Sequence, residues 1–192
     1  MFKLIFAKED DPDINSRGIF LAGPTRRNSS YNYSWRKDAA FFLDKLGFKG
    51  SIYIPEYRDD SVPFDDSNEG LKVQHKWEWK YLEKADIILF WVPRNEQDGM
   101  PAYTTNVEFG FWMARCPEKV VLGYPPKAEK MHYLQDLYNN FGGRFDICDS
   151  LEETCRTAVE ALEFTESYTI PDDSEEYINE NDFDDNIEDA SY

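Results

Sequence analysis

Histidine and cysteine are scarce in this chain of 192 residues, which has two of the former and three of the latter. The cysteines, Cys116, Cys148 and Cys155, are odd in number and form no C-x-x-C pair. Their spacing predicts neither a structural zinc site nor a disulfide framework, and buried, reduced thiols are expected instead. No metal or other cofactor is predicted.

Long apolar runs are also missing. No stretch approaches the ~20 residues that a membrane-spanning helix needs. The amino-terminal segment Met1–Lys8 is too short, and too soon followed by acidic residues, to act as a signal peptide. We therefore expect a cytoplasmic protein without a membrane partner. Neither G-x-G-x-x-G nor G-x-x-x-x-G-K-[ST] is present, which excludes the dinucleotide fingerprint and the P-loop.

Basic residues are few, with 21 Lys and Arg against 38 Asp and Glu, and they form no cluster, so no direct nucleic-acid binding is expected. The acidic excess is uneven. Residues Thr165–Tyr192 contain eleven acids and no base, which leaves 27 acids against 21 bases elsewhere. This pattern predicts one folded domain over residues 1–164 and an acidic, disordered tail over 165–192. Its scattered aromatic and aliphatic residues would suit docking on a partner or on a neighbouring subunit.

Short apolar segments that end in turn-forming residues alternate with segments of helical periodicity. The pattern predicts an α/β domain with a flavodoxin-like, or Rossmann-like, five-stranded parallel sheet and helices on both faces. The predicted strands are 18–23, 51–54, 86–92, 119–123 and 144–148, and residues 3–7 are a further candidate, as an edge strand. The predicted helices are 34–46, 71–84, 106–115, 127–140 and 151–163, with Ser34 and Ser150 as caps.

The stretch Met100–Gly110 places one carboxylate, Glu108, where an apolar strand gives way to a helix. In the first turn of a helix the dipole would keep Glu108 ionised, as a nucleophile requires. The competing interpretation is a capping box, in which Thr105 caps the helix and Glu108 at position N3 only secures its start.

Three further positions carry candidate chemistry. Glu78, between two tryptophans on a predicted helix, and Asp98, in the loop before Met100, are candidate general acids. The alternative for each is an ordinary solvated carboxylate. The pair Trp35-Arg36 would stack on a base or meet an anionic group; the alternative is a core tryptophan beside a surface arginine.

Together these segments resemble the nucleoside 2-deoxyribosyltransferase-like superfamily, and most closely its bacterial and phage branch. The resemblance runs in order over residues 18–135. It rests on Ile19–Thr25, Trp35-Arg36, Glu78–Asp86, Leu89–Arg94, Met100–Gly110 and Val121–Pro126.

The resemblance implies a flavodoxin-like fold and a glutamate, here Glu108, that attacks C1′ of a deoxynucleoside, expels the base and holds the sugar as an ester. Glu78 stands at the spacing of the acid that contacts the base. The resemblance also implies that Phe20, Gly23, Pro24, Thr25, Trp35 and Asn106 line the substrate site, and that the protein is a homo-oligomer. Three positions depart from the well-studied transferases, because Glu78 replaces an aspartate, Phe20 replaces a tyrosine that orients the nucleophile, and Ala102 replaces an aspartate six residues before the nucleophile.

The expected function is therefore that of an N-glycosyl-bond enzyme acting on a nucleoside or nucleotide, either a deoxyribosyltransferase or an N-glycosidase. Two other functions remain open. One is a non-catalytic nucleotide-binding module with a partner-docking acidic tail. The other is a regulatory protein of phage or host whose tail imitates the charge of nucleic acid.

Overall fold

The central sheet has five parallel strands in the order β1-β3-β2-β4-β5. The computed structural model describes residues 2–13, 15–25, 34–59, 61–63, 65–97 and 99–167, with side chains as far as residue 164. The strands are β1 (Lys3–Phe6), β2 (Gly18–Ala22), β3 (Ser51–Ile54), β4 (Ile87–Trp91) and β5 (Val120–Gly123). The predicted flavodoxin-like parallel sheet is confirmed.

Helices cover both faces of this sheet. They are α1 (Trp35–Lys45), α2 (Asn68–Lys84), α3 (Tyr103–Arg115), α4 (His132–Asn140) and α5 (Leu151–Ser167), with a short 3-10 helix at Pro117–Lys119. Helices α1 and α5 pack on the face that carries Ile19 and Leu21, whereas α2, α3 and α4 pack on the face that carries Phe20 and Ala22. Successive strand residues point to opposite faces, so each buried strand serves two cores. None of these described helices is long and apolar enough to cross a lipid bilayer.

Both predicted serine caps are confirmed. The Ser34 side chain accepts a hydrogen bond from the Arg36 amide at 3.1 Å, and α1 begins at the next residue. Ser150 accepts from the Glu153 amide at 3.3 Å, and its hydroxyl donates to the Glu153 carboxylate at 3.1 Å. Each cap supplies a partner to an amide that the first turn of a helix leaves unsatisfied.

The fifth strand of the sheet differs from the predicted one. Residues 144–148 make only a single parallel bridge, between Gly123 and Cys148, and β1 takes the opposite edge beside β3. Arg144 and Asp146 are exposed and alternate with the half-buried Phe145 and Ile147, and Cys148 makes the main-chain hydrogen bonds to Leu122 and Tyr124. The candidate strand at 3–7 is thus confirmed as an edge strand, and the predicted strand at 144–148 is wrong.

Helix α4 starts at His132, five residues after the predicted start. The chain first makes a turn, in which the Ala128 amide donates to the Pro125 carbonyl at 2.8 Å. Lys130 then adopts a left-handed conformation with φ of 53°. A non-glycine residue with this φ interrupts a right-handed helix, which explains the late start.

Candidate active site

The candidate site lies beyond the carboxyl end of the central strand, β2. The chain leaves β2 for β3 on one side and then crosses through α2 to β4 on the other side. Open α/β sheets bind their ligands at such a switch point, in the crevice between diverging connections. The segments at this edge are Gly23–Thr25 after β2, the residues from Pro55 after β3 and those from Val92 after β4.

Gly23 brings the end of β2 against β4 and α1. Its φ is 150°, and a side chain at this position would overlap the carbonyl oxygen of Trp91 and the ring of Trp35. The Trp35 indole nitrogen donates to the Pro24 carbonyl at 3.1 Å. Glycine is therefore required here both by its conformation and by the space available. These contacts fix Gly23 and Pro24 at the edge where the sequence predicts substrate binding.

Arg36 is the fixed cation of the site. Its side chain is only 2% exposed. Its Nη1 donates to Glu56 Oε1 at 2.6 Å and to Thr25 Oγ1 at 3.0 Å. The other donors bind main-chain carbonyls, with Nε 3.0 Å from the oxygen of Leu21 and Nη2 2.6 Å from that of Gly23. A buried arginine needs such partners, and here they join α1 to the ends of β2 and β3.

Arg36 therefore lies in the interior, and the interpretation of Arg36 as a surface charge is wrong. Its guanidinium also lies over the ring of the neighbouring Trp35, with Cζ 4.6 Å from the ring centroid. The sequence signal for this position was only the pair Trp35-Arg36 just inside a helix.

Glu78 enters the site from α2. The side-chain nitrogen of Gln74, one helical turn earlier, donates to Glu78 Oε1 at 2.9 Å and to the Pro55 carbonyl at 3.4 Å. Gln74 is buried, whereas Glu78 keeps part of its surface exposed. The spacing of four residues places both on the same side of the helix.

The helix that carries Glu108 begins earlier than predicted. Its N-cap is Ala102, in a left-handed conformation with φ of 60°, and the helix starts at Tyr103. Thr105 lies within the helix and is buried, and Glu108 is the sixth helical residue. The capping-box interpretation is therefore wrong, because Thr105 is not the cap and Glu108 is not at N3.

The expected protonation state of Glu108 is also wrong. Burial raises the pKa of its carboxyl to about 8, the negative charge of Glu78 adds to the rise, and the positive charge of Arg36 opposes it. The residue keeps a little solvent exposure, but protein atoms surround the carboxyl closely. Because Glu108 lies past the first turn, the helix dipole does not stabilise its anion. The neutral acid is the resting form at pH 7.

Glu78, Glu108 and Arg36 therefore form one electrostatic cluster contributed by three helices. Both Glu78 and Arg36 act on the Glu108 carboxyl through space. Burial and, to a smaller extent, the negative charge of Glu78 disfavour the anion of Glu108, so its carboxyl retains a proton above the usual range for glutamic acid. Paired carboxyl groups of this kind can serve as nucleophile and acid at a glycosidic bond.

Asn106 also lies on α3, and a second buried arginine holds it. Arg94 Nη2 donates to Asn106 Oδ1, and its Nη1 donates to the Lys130 carbonyl at 2.7 Å. Arg94 is buried, and its Nε has no hydrogen-bond partner among the described residues. Because a guanidinium only donates, the Asn106 amide must turn its oxygen toward Arg94 and its NH2 group away.

The remaining predicted site residues have less direct positions. Phe20 is 1% exposed and packs against Trp77, with ring centroids 6.2 Å apart, so it lies beneath the site as part of the core. Ala102 is buried at the start of α3. Asp98 lies outside the described residues.

Sequence reasoning missed three residues that hold the site. Glu56, Gln74 and Arg94 are separated widely in the chain, and each is a residue type that is usually exposed. Of the three, only Arg94 had a sequence signal, because it ends Leu89–Arg94, one of the segments on which the resemblance rests. In the part of the chain that the structure describes, no three side chains of His, Cys, Asp or Glu are grouped as a metal site.

Comparison with known proteins places these residues in a family. A family model described as nucleoside 2-deoxyribosyltransferase like matches residues 16–127, which is more than half of the chain. The matched range includes Gly23, Arg36, Glu78, Asn106 and Glu108. A search of curated proteins found no match. The chain belongs to the nucleoside 2-deoxyribosyltransferase-like family.

Proposed function

We propose that this protein breaks the N-glycosidic bond of a nucleoside or nucleotide, with Glu108 as the nucleophile. The observation that carries the proposal is the coupled pair of carboxyl groups, Glu78 and Glu108, at the carboxyl edge of the sheet. Membership of the family supports the same class of substrate. An edge of this type is where an open α/β sheet binds small molecules.

The proposed reaction forms and breaks one bond in each half. A carboxylate oxygen of Glu108 attacks C1′ of the sugar, and the bond from C1′ to the base nitrogen breaks with its electron pair going to the base. The base takes a proton from Glu78, with Asp98 as the alternative acid. An incoming base or a water molecule then attacks C1′ and gives its proton to the same acid, now an anion. The bond from C1′ to Glu108 breaks and releases the carboxylate, which gives transfer in the first case and hydrolysis in the second.

The positions around the pair have separate roles in this proposal. Arg36 opposes the rise of the Glu108 pKa and so supports formation of the nucleophile. The amide NH2 of Asn106 and the main chain of Gly23-Pro24-Thr25 position the sugar, and Trp35 lines the side of α1. Phe20 supplies no hydroxyl to orient Glu108. In this proposal the positive charge of Arg36 supports the Glu108 anion in its place.

Proton counting predicts a pH profile. With Glu78 ionised, the pair loses its last proton near pH 8, the pKa of Glu108. The reaction requires one proton on the pair, resting on Glu108 and moved to Glu78 as the anion of Glu108 forms. We therefore expect kcat/KM to fall about tenfold per pH unit above pH 8. A rate that climbed through pH 8 would rule out Glu78 as the acid and favour Asp98.

A substrate panel tests the activity itself. The four common 2′-deoxynucleosides and their 5′-monophosphates would each be incubated with the protein, with and without an acceptor base, and free base and new nucleoside followed by chromatography. Glu108→Gln should lose turnover by at least a thousandfold. Mass spectrometry should find a deoxyribosyl group on the peptide that contains Glu108. Ligand binding without turnover would favour the nucleotide-binding module.

The proposed enzyme is a homo-oligomer. Tyr103, Val107 and Phe111 recur every four residues on α3 and are each more than half exposed, so they form an apolar stripe on the helix that carries Glu108. A second copy of the chain covering this stripe would bury it close to the site. The acidic tail lacks bases to join such a contact and is proposed to dock on a separate partner.

A further inference from the structure

Gln74 makes an unusual contact with the candidate acid. Its amide nitrogen lies between two acceptors, Glu78 Oε1 at 2.9 Å and the carbonyl oxygen of Pro55 at 3.4 Å. Its own oxygen, Oε1, is buried and has no hydrogen-bond partner among the described residues. A buried amide oxygen without a partner costs free energy, so a feature of this kind calls for an explanation.

The two neighbouring acceptors determine how the Gln74 amide is oriented. If the amide were turned over, its oxygen would face the Pro55 carbonyl and the Glu78 carboxylate, which are both acceptors. The Gln74 nitrogen therefore faces these two acceptors, although this leaves the Gln74 oxygen without a hydrogen bond among the described residues. This orientation gives the Glu78 carboxyl a hydrogen-bond donor and leaves the oxygen of Gln74 unsatisfied.

The hydrogen bond from Gln74 distinguishes the two oxygens of Glu78, because it reaches Oε1. An N–H donor prefers the carbonyl oxygen of a carboxylic acid to its hydroxyl oxygen. When Glu78 is protonated, the hydrogen bond from Gln74 therefore keeps Oε1 as the carbonyl oxygen and puts the proton on Oε2. When Glu78 is ionised, the same hydrogen bond stabilises the anion.

We infer that Gln74 is a positioning residue for Glu78, which assigns Oε2 as the oxygen that delivers a proton to the leaving base. This inference rests on the proposed function, in which Glu78 is the acid. Gln74 itself does not touch the reacting atoms. Its nitrogen donates to the Glu78 carboxyl and also to the Pro55 carbonyl, which directly follows β3, and these two bonds hold the carboxyl in position.

Other charges around Glu78 come from three elements and stay in place when Gln74 is changed. Glu108 on α3 interacts with Glu78 through space, Arg36 on α1 interacts with Glu108, and Glu56 after β3 is paired with Arg36. Gln74→Met keeps the length of the side chain and removes the donor. Lys76→Met is the matched control, because Lys76 is exposed on the same helix.

The first arm of the test does not depend on turnover. Carboxyl carbons of isotopically labelled glutamate are followed by NMR as the pH is varied, and Glu78→Gln and Glu108→Gln assign the two signals. In Gln74→Met the titration midpoint of Glu78 should rise by about one pH unit, as expected when a hydrogen bond to the anion is lost. Gln74→Glu, which adds a second carboxyl, should raise it further. Lys76→Met should leave it in place, and a midpoint that does not move in either Gln74 variant overturns the inference.

The second arm compares leaving groups. An ordinary deoxynucleoside needs an acid to release its base, whereas 7-methyl-2′-deoxyguanosine already carries a positive charge on its base and needs none. Gln74→Met should lower kcat at least tenfold for the best ordinary substrate, with a change in KM of less than about threefold, and should leave release of 7-methylguanine near the wild-type rate. Equal losses on both substrates would overturn the inference.

The two proposals fail in different ways. If the wild-type protein releases no base from any substrate, the proposed function fails, and the NMR titration alone decides whether Gln74 controls Glu78. If the wild-type protein is active but Gln74→Met does not distinguish the two leaving groups, the proposed function stands and the role of Gln74 is overturned.

Discussion

Arg36 and Glu56 form an ion pair of 2.6 Å that joins α1 to the end of β3. The arginine side chain is almost completely buried, and the glutamate keeps 17% of its side-chain surface exposed. The same guanidinium bonds the main chain at Leu21 and Gly23. One cation thus connects the strand ends that border the candidate site.

Removing this cation should destabilise the fold. Arg36→Met leaves Glu56 and two main-chain carbonyls without their donor, and we expect a loss of about 3 kcal/mol in the free energy of unfolding. The double variant Arg36→Met/Glu56→Gln should lose at least 1 kcal/mol less than the sum of the single losses, because the two side chains interact. Denaturant titrations would measure both quantities. Simple additivity would show that the pair is not coupled.

The raised pKa of Glu108 predicts how stability varies with pH. Its pKa is about 8 in the native protein and about 4.3 in an unfolded chain, so between these values the native state binds the extra proton. The contribution to stability is therefore complete below about pH 4 and is lost as the pH rises through 8. Glu108→Gln is neutral at every pH. Its free energy of unfolding relative to that of the wild type should therefore increase by about 2–4 kcal/mol from pH 5 to pH 8.5.

Thermal unfolding at a series of pH values would measure this gain. Glu163→Gln, at an exposed position on α5, serves as the control and should follow the wild type throughout. A constant difference between Glu108→Gln and the wild type across this range would mean that the Glu108 pKa is ordinary.

Two arginines at different depths should respond differently to the same substitution. Arg94 is buried and bonds Asn106 and the Lys130 carbonyl, whereas Arg115 makes an exposed pair with Glu83. Arg94→Met should cost about 2–4 kcal/mol of stability, and Arg115→Met less than 1 kcal/mol. Arg94→Met should also speed amide hydrogen exchange around Asn106 and around Lys130, because the guanidinium joins these two segments. Equal costs for the two variants would contradict the proposed role of Arg94.

The apolar stripe on α3 predicts the effect of a surface charge on assembly. Val107→Glu should shift the protein toward monomer, because a carboxylate cannot be buried against an apolar partner without a large cost. Val62→Glu, at another exposed valine, should not change the assembly. Light scattering coupled to size-exclusion chromatography would measure the mass. An unchanged oligomer in Val107→Glu would place the interface elsewhere.

The elements of the sheet were largely predictable from local pattern. The strands β2, β3, β4 and β5 are short apolar runs, and Ser34 and Ser150 begin helices as serine caps commonly do. The edge strand was the exception. Local pattern could not rank Lys3–Phe6 above residues 144–148, because an edge position depends on which segment meets β3.

The start of α3 was not predictable in the same way. The sequence Thr-Thr-Asn-Val-Glu fits a capping box, but Ala102 begins the helix from a left-handed conformation without a side-chain cap. Paired hydrogen bonds join Asn95 and Met100 in the loop before it, two residues ahead of the cap. The conformation of Ala102 depends on how this loop leaves β4, which a local motif does not contain.

The amino-acid sequence by itself determined the α/β fold, the family and the identity of Glu78 and Glu108 as candidate carboxyl groups, since apolar periodicity and ordered motifs are local properties of a chain. Only the tertiary structure decided that Glu108 holds a proton at neutral pH. Protonation depends on burial and on the charges of Glu78 and Arg36, and these come from helices that meet only when the chain is folded.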